Sequence, residues 1–298
     1  MVSPFLSPLF IHTMDKPAWL KKRLLTSAEA QETEAVVTAF GLHTVCSSAL
    51  CPNRSECFNR KVATFLILGN ICTRRCAFCG VANGVPLPPE ESEPERVAQA
   101  TARLGLKYAV ITSVTRDDLP DRGAAVFAAT LAAIRRTTPH TRAEILTPDF
   151  DGRRELLKVV LAEEPLVFNH NLETVPRLYP TVRPQAFYRT SLGLLRAAKE
   201  EGSAFTKSGL MLGLGEEKEE VLDVLSDLRS VGCDILTLGQ YLRPGEKNRP
   251  VVRYVTPEEF EDYKEIAERL GFKACASGPF VRSSYFAADL FKQTGALR

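Results

Sequence analysis

An apolar run at residues 62–68 leads directly into GNICTRRCAFC at residues 69–79. This stretch spaces Cys72, Cys76 and Cys79 as C-x3-C-x2-C, and no fourth cysteine follows nearby. Three thiolates this close together can hold three corners of a [4Fe–4S] cluster and leave one iron without a protein ligand. An open metal position is where a substrate or cofactor binds. The stretch therefore predicts an open iron–sulfur site at the carboxyl end of a strand, where parallel α/β folds place their active sites.

Beyond this stretch, short apolar runs alternate with segments of helical spacing. The apolar runs, counting the first, lie at residues 62–68, 108–112, 144–147, 166–169, 208–212, 234–238 and 272–276. The helical segments lie at residues 95–104, 124–136, 153–163, 191–201, 217–229 and 257–270. This alternation predicts βαβ units and a parallel sheet. Six or seven repeats fit an open doubly wound sheet or a partial barrel, and the lack of GxGxxG after the first strand argues against a dinucleotide-binding sheet.

Composition excludes several classes of protein. With 45% hydrophobic and 25% charged residues, the chain of 298 residues has the balance of a globular domain, and its net charge of +2 is too small to indicate nucleic-acid binding. We interpret the short basic run at 21–23 as a solvated helix face. No apolar stretch could span a bilayer, and residues 1–13 lack the features of a secretory signal. We expect a cytoplasmic protein with no membrane or nucleic-acid partner, in which residues 1–13 form a loose extension ahead of a possible alternative start at Met14.

A second cysteine triplet precedes the first. Cys46, Cys51 and Cys57 are spaced C-x4-C-x5-C. In a long chain without a secretion signal, clustered cysteines indicate metal binding or catalysis rather than disulfides. Zinc or redox-labile thiols fit this spacing too, but beside the first triplet an auxiliary iron–sulfur cluster is favoured. The remaining two cysteines, Cys233 and Cys275, are candidates for a fourth ligand, although each falls beside or in an apolar run and is better interpreted as a core residue.

The two triplets together resemble those of the lipoyl synthases, a family within the radical S-adenosylmethionine superfamily. The likeness extends from about residue 16 to residue 288. It includes the segments TRDDLPD at 115–121, LTPDF at 146–150, NHNLET at 169–174, GQYL at 239–242 and GPFVRSSY at 278–285.

The resemblance implies a fold and a set of cofactors. The fold would be a partial (β/α)6 barrel at residues 61–276, with an N-terminal extension at 1–60 and a C-terminal extension at 277–298 that cover the barrel mouth. The cofactors would be two [4Fe–4S] clusters and S-adenosylmethionine, whose amino and carboxylate groups would chelate the open iron. The auxiliary cluster would take a serine oxygen as its fourth ligand, and we expect Ser284 in this role, with Ser283 as the near alternative.

The implied reaction inserts sulfur into unactivated carbons. Radicals from S-adenosylmethionine would remove hydrogen from C6 and then C8 of an octanoyl chain, and the auxiliary cluster would supply both sulfur atoms. The partners implied are an octanoylated lipoyl-carrier domain (2-oxoacid dehydrogenase E2 or glycine-cleavage H protein), a reductant such as ferredoxin or flavodoxin, and a cluster-repair protein. The residues expected to carry the chemistry are Cys72, Cys76, Cys79 and Ser284.

Residues at or near the later strand ends are candidates for binding S-adenosylmethionine. Ordinary loop capping is the alternative interpretation for each, and His170 beside them could equally be structural. Arg189 and Arg243 lie in matching segments without an assigned role. The candidates are Thr112, Ser113, Glu144, Asn171, Glu173, Met211 and Leu212.

Three other functions remain open from the sequence. One is another sulfur-inserting radical enzyme resembling biotin synthase, which the paired triplets and the RSSY segment disfavour. A two-cluster electron carrier would need four protein ligands for each cluster and little barrel. A zinc-stabilised binding module would fit poorly, because the first triplet has no nearby histidine.

Overall fold

The computed structural model describes residues 16–22 and 27–296. The expectations for residues 1–13, Met14 and Arg23 lie outside the described residues. Within the described part of the chain, no helix has the length and apolar character needed to cross a membrane.

One sheet of eight strands forms the centre of the fold. The strands of the chain are β1 (His43–Thr44), β2 (Thr64–Ile67), β3 (Ile71–Cys72), β4 (Ala82–Asn83), β5 (Tyr108–Ser113), β6 (Arg142–Leu146), β7 (Val167–Asn169), β8 (Phe205–Leu212), β9 (Ile235–Gln240) and β10 (Ala274–Gly278). The large sheet has the order β1-β2-β5-β6-β7-β8-β9-β10, and β3 pairs with β4 separately. All neighbours in the large sheet are parallel except the antiparallel edge strand β1.

The order of these strands identifies a partial barrel. From β2 to β10, each parallel strand lies beside the next one along the chain, whereas a doubly wound sheet reverses its order at a switch point. Right-handed crossovers in one direction place all the helices on one face, which becomes the outside when the sheet curls. No hydrogen-bonded pairing joins β10 to β2 within the residues described, so the barrel is open there.

Six helices connect the seven parallel strands, and each predicted helix and strand is present. The helices of the chain are α1 (Ala28–Ala39), α2 (Val45–Ser48), α3 (Arg54–Asn59), α4 (Glu93–Arg103), α5 (Ala124–Thr137), α6 (Arg154–Leu161), α7 (Tyr179–Val182), α8 (Tyr188–Glu200), α9 (Lys218–Ser230), α10 (Pro257–Arg269) and α11 (Ala287–Lys292). Capping boxes start α9 and α10, where Glu217 pairs with Glu220 and Thr256 with Glu259. The six β/α units, followed by the additional strand β10, confirm the predicted partial barrel.

The C-terminal extension reaches both ends of the barrel. Residues 281–285 line a cavity at the carboxyl ends of the strands. The following helix, α11, packs Leu290 and Phe291 against Val167 and Ile235, the first residues of β7 and β9. The Phe291 ring also meets that of Phe205 edge to face, with 4.9 Å between the ring centroids. The extension therefore covers the mouth and then continues to the opposite, amino end of the barrel.

Candidate active site between two cysteine triplets

A cavity of about 480 Å³ opens at the carboxyl ends of the barrel strands. Both cysteine triplets and the two tandem serines line it, together with residues from the ends of β5 to β9. The wall is otherwise mainly apolar, with Leu66, Leu146 and Leu210 among its residues. The fold thus brings three distant stretches of sequence, 46–57, 72–79 and 281–285, around one space.

The first triplet lies on a loop that the Arg74 side chain links to the loops after β5 and β6. The Arg74 guanidinium donates to Asp117 at 2.8 and 2.9 Å, to Asp149 at 2.6 and 2.9 Å, and to Asp151 at 3.2 Å. These three carboxylates come from the loops after β5 and β6. The backbone N–H of Thr115 also donates to the Cys72 sulfur at 3.3 Å. One arginine therefore ties the cysteine loop to two neighbouring strand ends.

The segment after β9 holds the same loop from the other side. Asn248 Nδ2 donates to the Cys79 carbonyl at 2.8 Å, and the Arg249 N–H donates to the Ala77 carbonyl at 2.9 Å. The Ala77 N–H in turn donates to the Val182 carbonyl at 2.9 Å. Contacts on both sides leave the loop little freedom before any metal binds.

The second triplet is carried by two short helices beside β2. Cys46 lies on α2, whose N-terminus is capped by the Thr44 hydroxyl, and Cys57 lies on α3. Both thiols are buried in a small apolar cluster that includes Phe58, and Tyr285 packs against it. The C-terminal segment therefore reaches the second triplet directly.

Burial keeps most of these thiols protonated in the metal-free protein. It raises the pKa of Cys46 to about 11 and the pKa values of Cys57 and Cys79 to about 12, and it also raises the pKa of Cys76. Since iron binds thiolates, loading either triplet must release protons.

No three side chains of metal-ligand type among the described residues converge as on a single ion. A four-iron cube spreads its ligands over several irons, so wider thiol spacing suits it.

The tandem serines have different surroundings. Ser283 Oγ accepts a hydrogen bond from Asn171 Nδ2 at 2.5 Å and also lies close to Gly209 on β8. Ser284 lines the cavity and makes no comparable side-chain hydrogen bond within the described part of the chain. Next to them, the backbone of Val281 crosses directly over Gly239 on β9.

Five of the seven candidates for binding S-adenosylmethionine line the cavity: Thr112, Ser113, Asn171, Glu173 and Met211. Glu173 adopts a left-handed backbone conformation with φ 68°, which is uncommon outside glycine and concentrates at functional sites. Its side chain accepts from Asn171 Nδ2 at 3.0 Å, and burial raises its pKa.

The other two candidates do not face the cavity. Glu144 is buried in an ion pair with Lys207 at 2.8 Å and also accepts from the Tyr108 hydroxyl at 2.7 Å, because its β6 position points into the lower barrel interior. Leu212 is fully buried in the core. Neither side chain lines the cavity, so the geometry gives no support to the prediction that these two residues bind S-adenosylmethionine.

Unpaired polar atoms around the cavity fit a polar cofactor. Among the residues described, Ser113 Oγ, Thr147 Oγ1, His170 Nε2 and Asn171 Oδ1 are buried without a hydrogen-bond partner, although buried polar atoms are normally hydrogen-bonded. His170 Nδ1–H donates a hydrogen bond to the Thr147 carbonyl at 2.9 Å, and burial lowers the pKa of His170 to about 4. The ring is therefore neutral and offers Nε2 as an acceptor.

Sequence reasoning missed residues whose partners lie far away in the chain. The buried Arg183 donates to the carbonyls of Asn171 and Leu172 and also lines the cavity. A single arginine after a short helix carries no local signal of this role. Cys233 and Cys275 are buried in the main core and do not line the cavity, as expected for core residues.

Comparisons with known proteins show which family the chain belongs to. Residues 66–228 match the Radical SAM superfamily. The chain is 54% identical to the lipoyl synthase of Caldanaerobacter subterraneus subsp. tengcongensis over 92% of its length and 96% of that protein. It is 52% identical to the lipoyl synthase of Pelodictyon phaeoclathratiforme over 94% of its length and 95% of that protein.

Solved structures of lower identity share the fold. Methylornithine synthase has a TM-score of 0.55 at 14% identity, covering 83% of this chain and 71% of its own. Coproporphyrinogen III oxidase from Escherichia coli has a TM-score of 0.52 at 15% identity, covering 69% of this chain and 52% of its own.

Membership of the radical SAM superfamily implies a [4Fe–4S] cluster and S-adenosylmethionine as cofactors, and the open triplet and unpaired polar atoms fit both. The identity to these relatives extends over nearly the whole chain. The chain therefore belongs to the lipoyl synthase family of radical SAM sulfurtransferases.

Proposed function

We propose that the protein inserts two sulfur atoms, at C6 and C8, into an octanoyl chain carried on another protein. The observation that carries this proposal is the single cavity lined by both triplets and by the serine segment. An acyl chain in that cavity would lie between a site that makes radicals and a site that holds sulfur. The mainly apolar wall suits an octanoyl chain and keeps water away from a carbon radical.

The two triplets have different roles in this proposal. Cys72, Cys76 and Cys79 hold the cluster that binds S-adenosylmethionine, and Cys46, Cys51 and Cys57 hold an auxiliary [4Fe–4S] cluster. When bound, the first cluster and S-adenosylmethionine supply 5′-deoxyadenosyl radicals that remove the C6 and C8 hydrogens, and the auxiliary cluster supplies the sulfur atoms that replace these hydrogens. The chain's own residues position the chemistry: Asn171, Glu173 and Ser113 bind the cofactor's polar groups, with Thr112 and Met211 beside them.

Ser284 is the fourth protein ligand of the auxiliary cluster. Its neighbour Ser283 is engaged by Asn171, whereas Ser284 makes no side-chain hydrogen bond among the described residues and lines the same cavity as the second triplet. A serine oxygen is a harder ligand than a thiolate on iron. Of the proposed ligands, the Ser284 oxygen would be the one that takes up a proton most readily, and as a hydroxyl it would hold the cluster less tightly.

The partners proposed are those that this chemistry needs. The octanoyl chain arrives on a lipoyl-carrier domain, either of a 2-oxoacid dehydrogenase E2 or of the glycine-cleavage H protein. A ferredoxin or flavodoxin supplies electrons, and a repair protein rebuilds the auxiliary cluster. All of these fit a cytoplasmic location.

An anaerobic single-turnover assay on an octanoyl-lysine peptide, read by mass spectrometry, tests the function. We expect two sulfur atoms in place of two hydrogens. Ser284→Ala should still cleave S-adenosylmethionine but form little lipoyl product, and Ser284→Cys should keep its iron yet transfer sulfur poorly.

Ser283→Ala at equal iron content is the matched control. Normal product from Ser284→Ala with none from Ser283→Ala would move the ligand to Ser283. Normal product from both variants would show that serine ligation is not needed. Wild-type levels of cofactor cleavage in Cys76→Ala would contradict the assignment of the radical cluster.

A further inference from the structure

One ammonium group from the N-terminal segment lies between the second triplet and the tandem serines. Lys22 Nζ is 2.5 Å from Glu56 Oε2 and donates to Asn53 Oδ1 at 2.6 Å. Glu56 and Asn53 both belong to the stretch between Cys51 and Cys57. The lysine is therefore bound to the loop that carries the second triplet.

The same ammonium faces the other side of this junction. Its Nζ lies 5.0 Å from the ring centroid of Phe280 and 5.3 Å from that of Tyr285. These distances are within the range of cation–π attraction. The two rings flank the tandem serines in sequence, so Lys22 attracts the serine segment at two points around Ser284.

Lys22 also orients the hydrogen bonds that join the two segments. Asn53 is only 1% exposed, and its Nδ2 donates to the Phe280 carbonyl at 2.6 Å. Because the lysine occupies Oδ1, the amide must turn its Nδ2 group towards Phe280. Glu56, held by the lysine, accepts from the Tyr285 hydroxyl at 3.1 Å. Both links between triplet and serine segment therefore depend on a partner of Lys22.

We propose that Lys22 is a positioning residue that fixes Ser284 against the second triplet, acting through Asn53, Glu56 and the rings of Phe280 and Tyr285. This inference rests on the proposed role of Ser284. It assigns to Lys22 a part in sulfur transfer, although Lys22 does not line the cavity.

Amide hydrogen exchange of the full-length anaerobic holoenzyme tests the positioning directly. In Lys22→Met, which keeps an unbranched side chain one atom shorter and removes the charge, exchange at residues 280–286 should rise about tenfold, the effect of losing one charge-assisted hydrogen bond. Lys22→Arg should restore slow exchange. Lys21→Met, a change at the exposed neighbouring lysine, is the matched control and should exchange like wild type.

The same measurement in a Ser284→Ala background separates the inference from the function on which it rests. The rise caused by Lys22→Met should persist there, because it depends on the lysine contacts and not on ligation. Glu56→Gln removes the charge pair from the other side and should raise exchange at the same residues. Exchange in Lys22→Met equal to that in Lys21→Met would overturn the proposal.

Sulfur transfer provides the second readout. Lys22→Met should cleave S-adenosylmethionine at the wild-type rate but form lipoyl product at least about fivefold more slowly, with rescue by Lys22→Arg. Normal product from Lys22→Met beside a defective Ser284→Ala would overturn the role of Lys22 alone. Normal product from Ser284→Ala would instead remove the proposed ligand.

Discussion

At the scale of single residues, the site depends on charges that reach across loops. Arg74 lies between Cys72 and Cys76, is buried, and binds three carboxylates. An arginine fork can satisfy several carboxylate oxygens at once, and a lysine ammonium cannot reproduce that geometry. Arg75, the next residue, is exposed. The two adjacent arginines therefore have different roles that the motif alone does not reveal.

Arg74→Lys should destabilise the protein by about 2 kcal/mol, since it leaves the buried Asp149 carboxylate only partly paired. Iron bound at the first triplet should fall with it. Urea unfolding of the metal-free protein and iron analysis after reconstitution measure both effects. Arg75→Lys should change stability by less than about 0.5 kcal/mol and keep its iron. Equal losses in the two variants would contradict the positioning of the loop by Arg74.

Sequence predicts those site residues whose chemistry is local. The spacing of Cys72, Cys76 and Cys79 alone predicts a cluster site, because thiolates of one cluster must lie close together, whereas the prediction for the second triplet also depended on the first triplet beside it. Arg183 was not found, since its partners are made by the fold. The position of Glu144 outside the cavity lining has a related cause: a strand side chain can point below the cavity, and only the ion pair with Lys207 on β8 shows this.

At the scale of elements, β9 meets the C-terminal segment at a glycine. A Cβ added at Gly239 would overlap the carbonyl oxygen of Val281 and crowd the Arg282 side chain. The absent side chain is what lets the serine segment lie flat on the strand end.

Gly239→Ala should therefore push the segment away from the mouth, at a cost of about 1–3 kcal/mol. Cofactor cleavage should continue while lipoyl formation falls, as measured by product analysis beside 5′-deoxyadenosine release. Gly193→Ala is the matched control, because an added Cβ on α8 meets nothing within 4 Å and alanine favours a helix. Unchanged product from Gly239→Ala would show that the segment does not need this close approach.

At the scale of the whole molecule, the repeats were predictable and the ends were not. Seven buried runs and six amphipathic segments repeat a single physical pattern, so the alternating strands and helices follow from it, whereas the choice of a partial barrel over a doubly wound sheet came from the family resemblance. α11 has no such pattern of its own. Its place at the amino end depends on the packing of Phe291 against Tyr108 and Phe205, which lie far from it in the sequence.

The two cluster sites proposed for this cavity should load separately, because different elements carry the two cysteine triplets. Replacing Cys72, Cys76 and Cys79 by alanine should leave about four of about eight irons, bound at the second triplet. Iron and sulfide analysis measures this, with Cys275→Ala, a core substitution, retaining all of them. Complete loss of iron from the triple variant would rule out independent assembly.

The anchoring of α11 has a consequence for repeated turnover. Only eight residues, 279–286, connect the end of β10 to the start of α11, and both ends are packed. A serine released from this short, doubly tethered loop cannot diffuse away. Its return is an intramolecular event at an effective concentration in the millimolar range or above. The serine would then bind a rebuilt auxiliary cluster quickly, because the loop keeps it near the site. The delivery of a new cluster, rather than its ligation by the serine, would limit the rate of the next cycle.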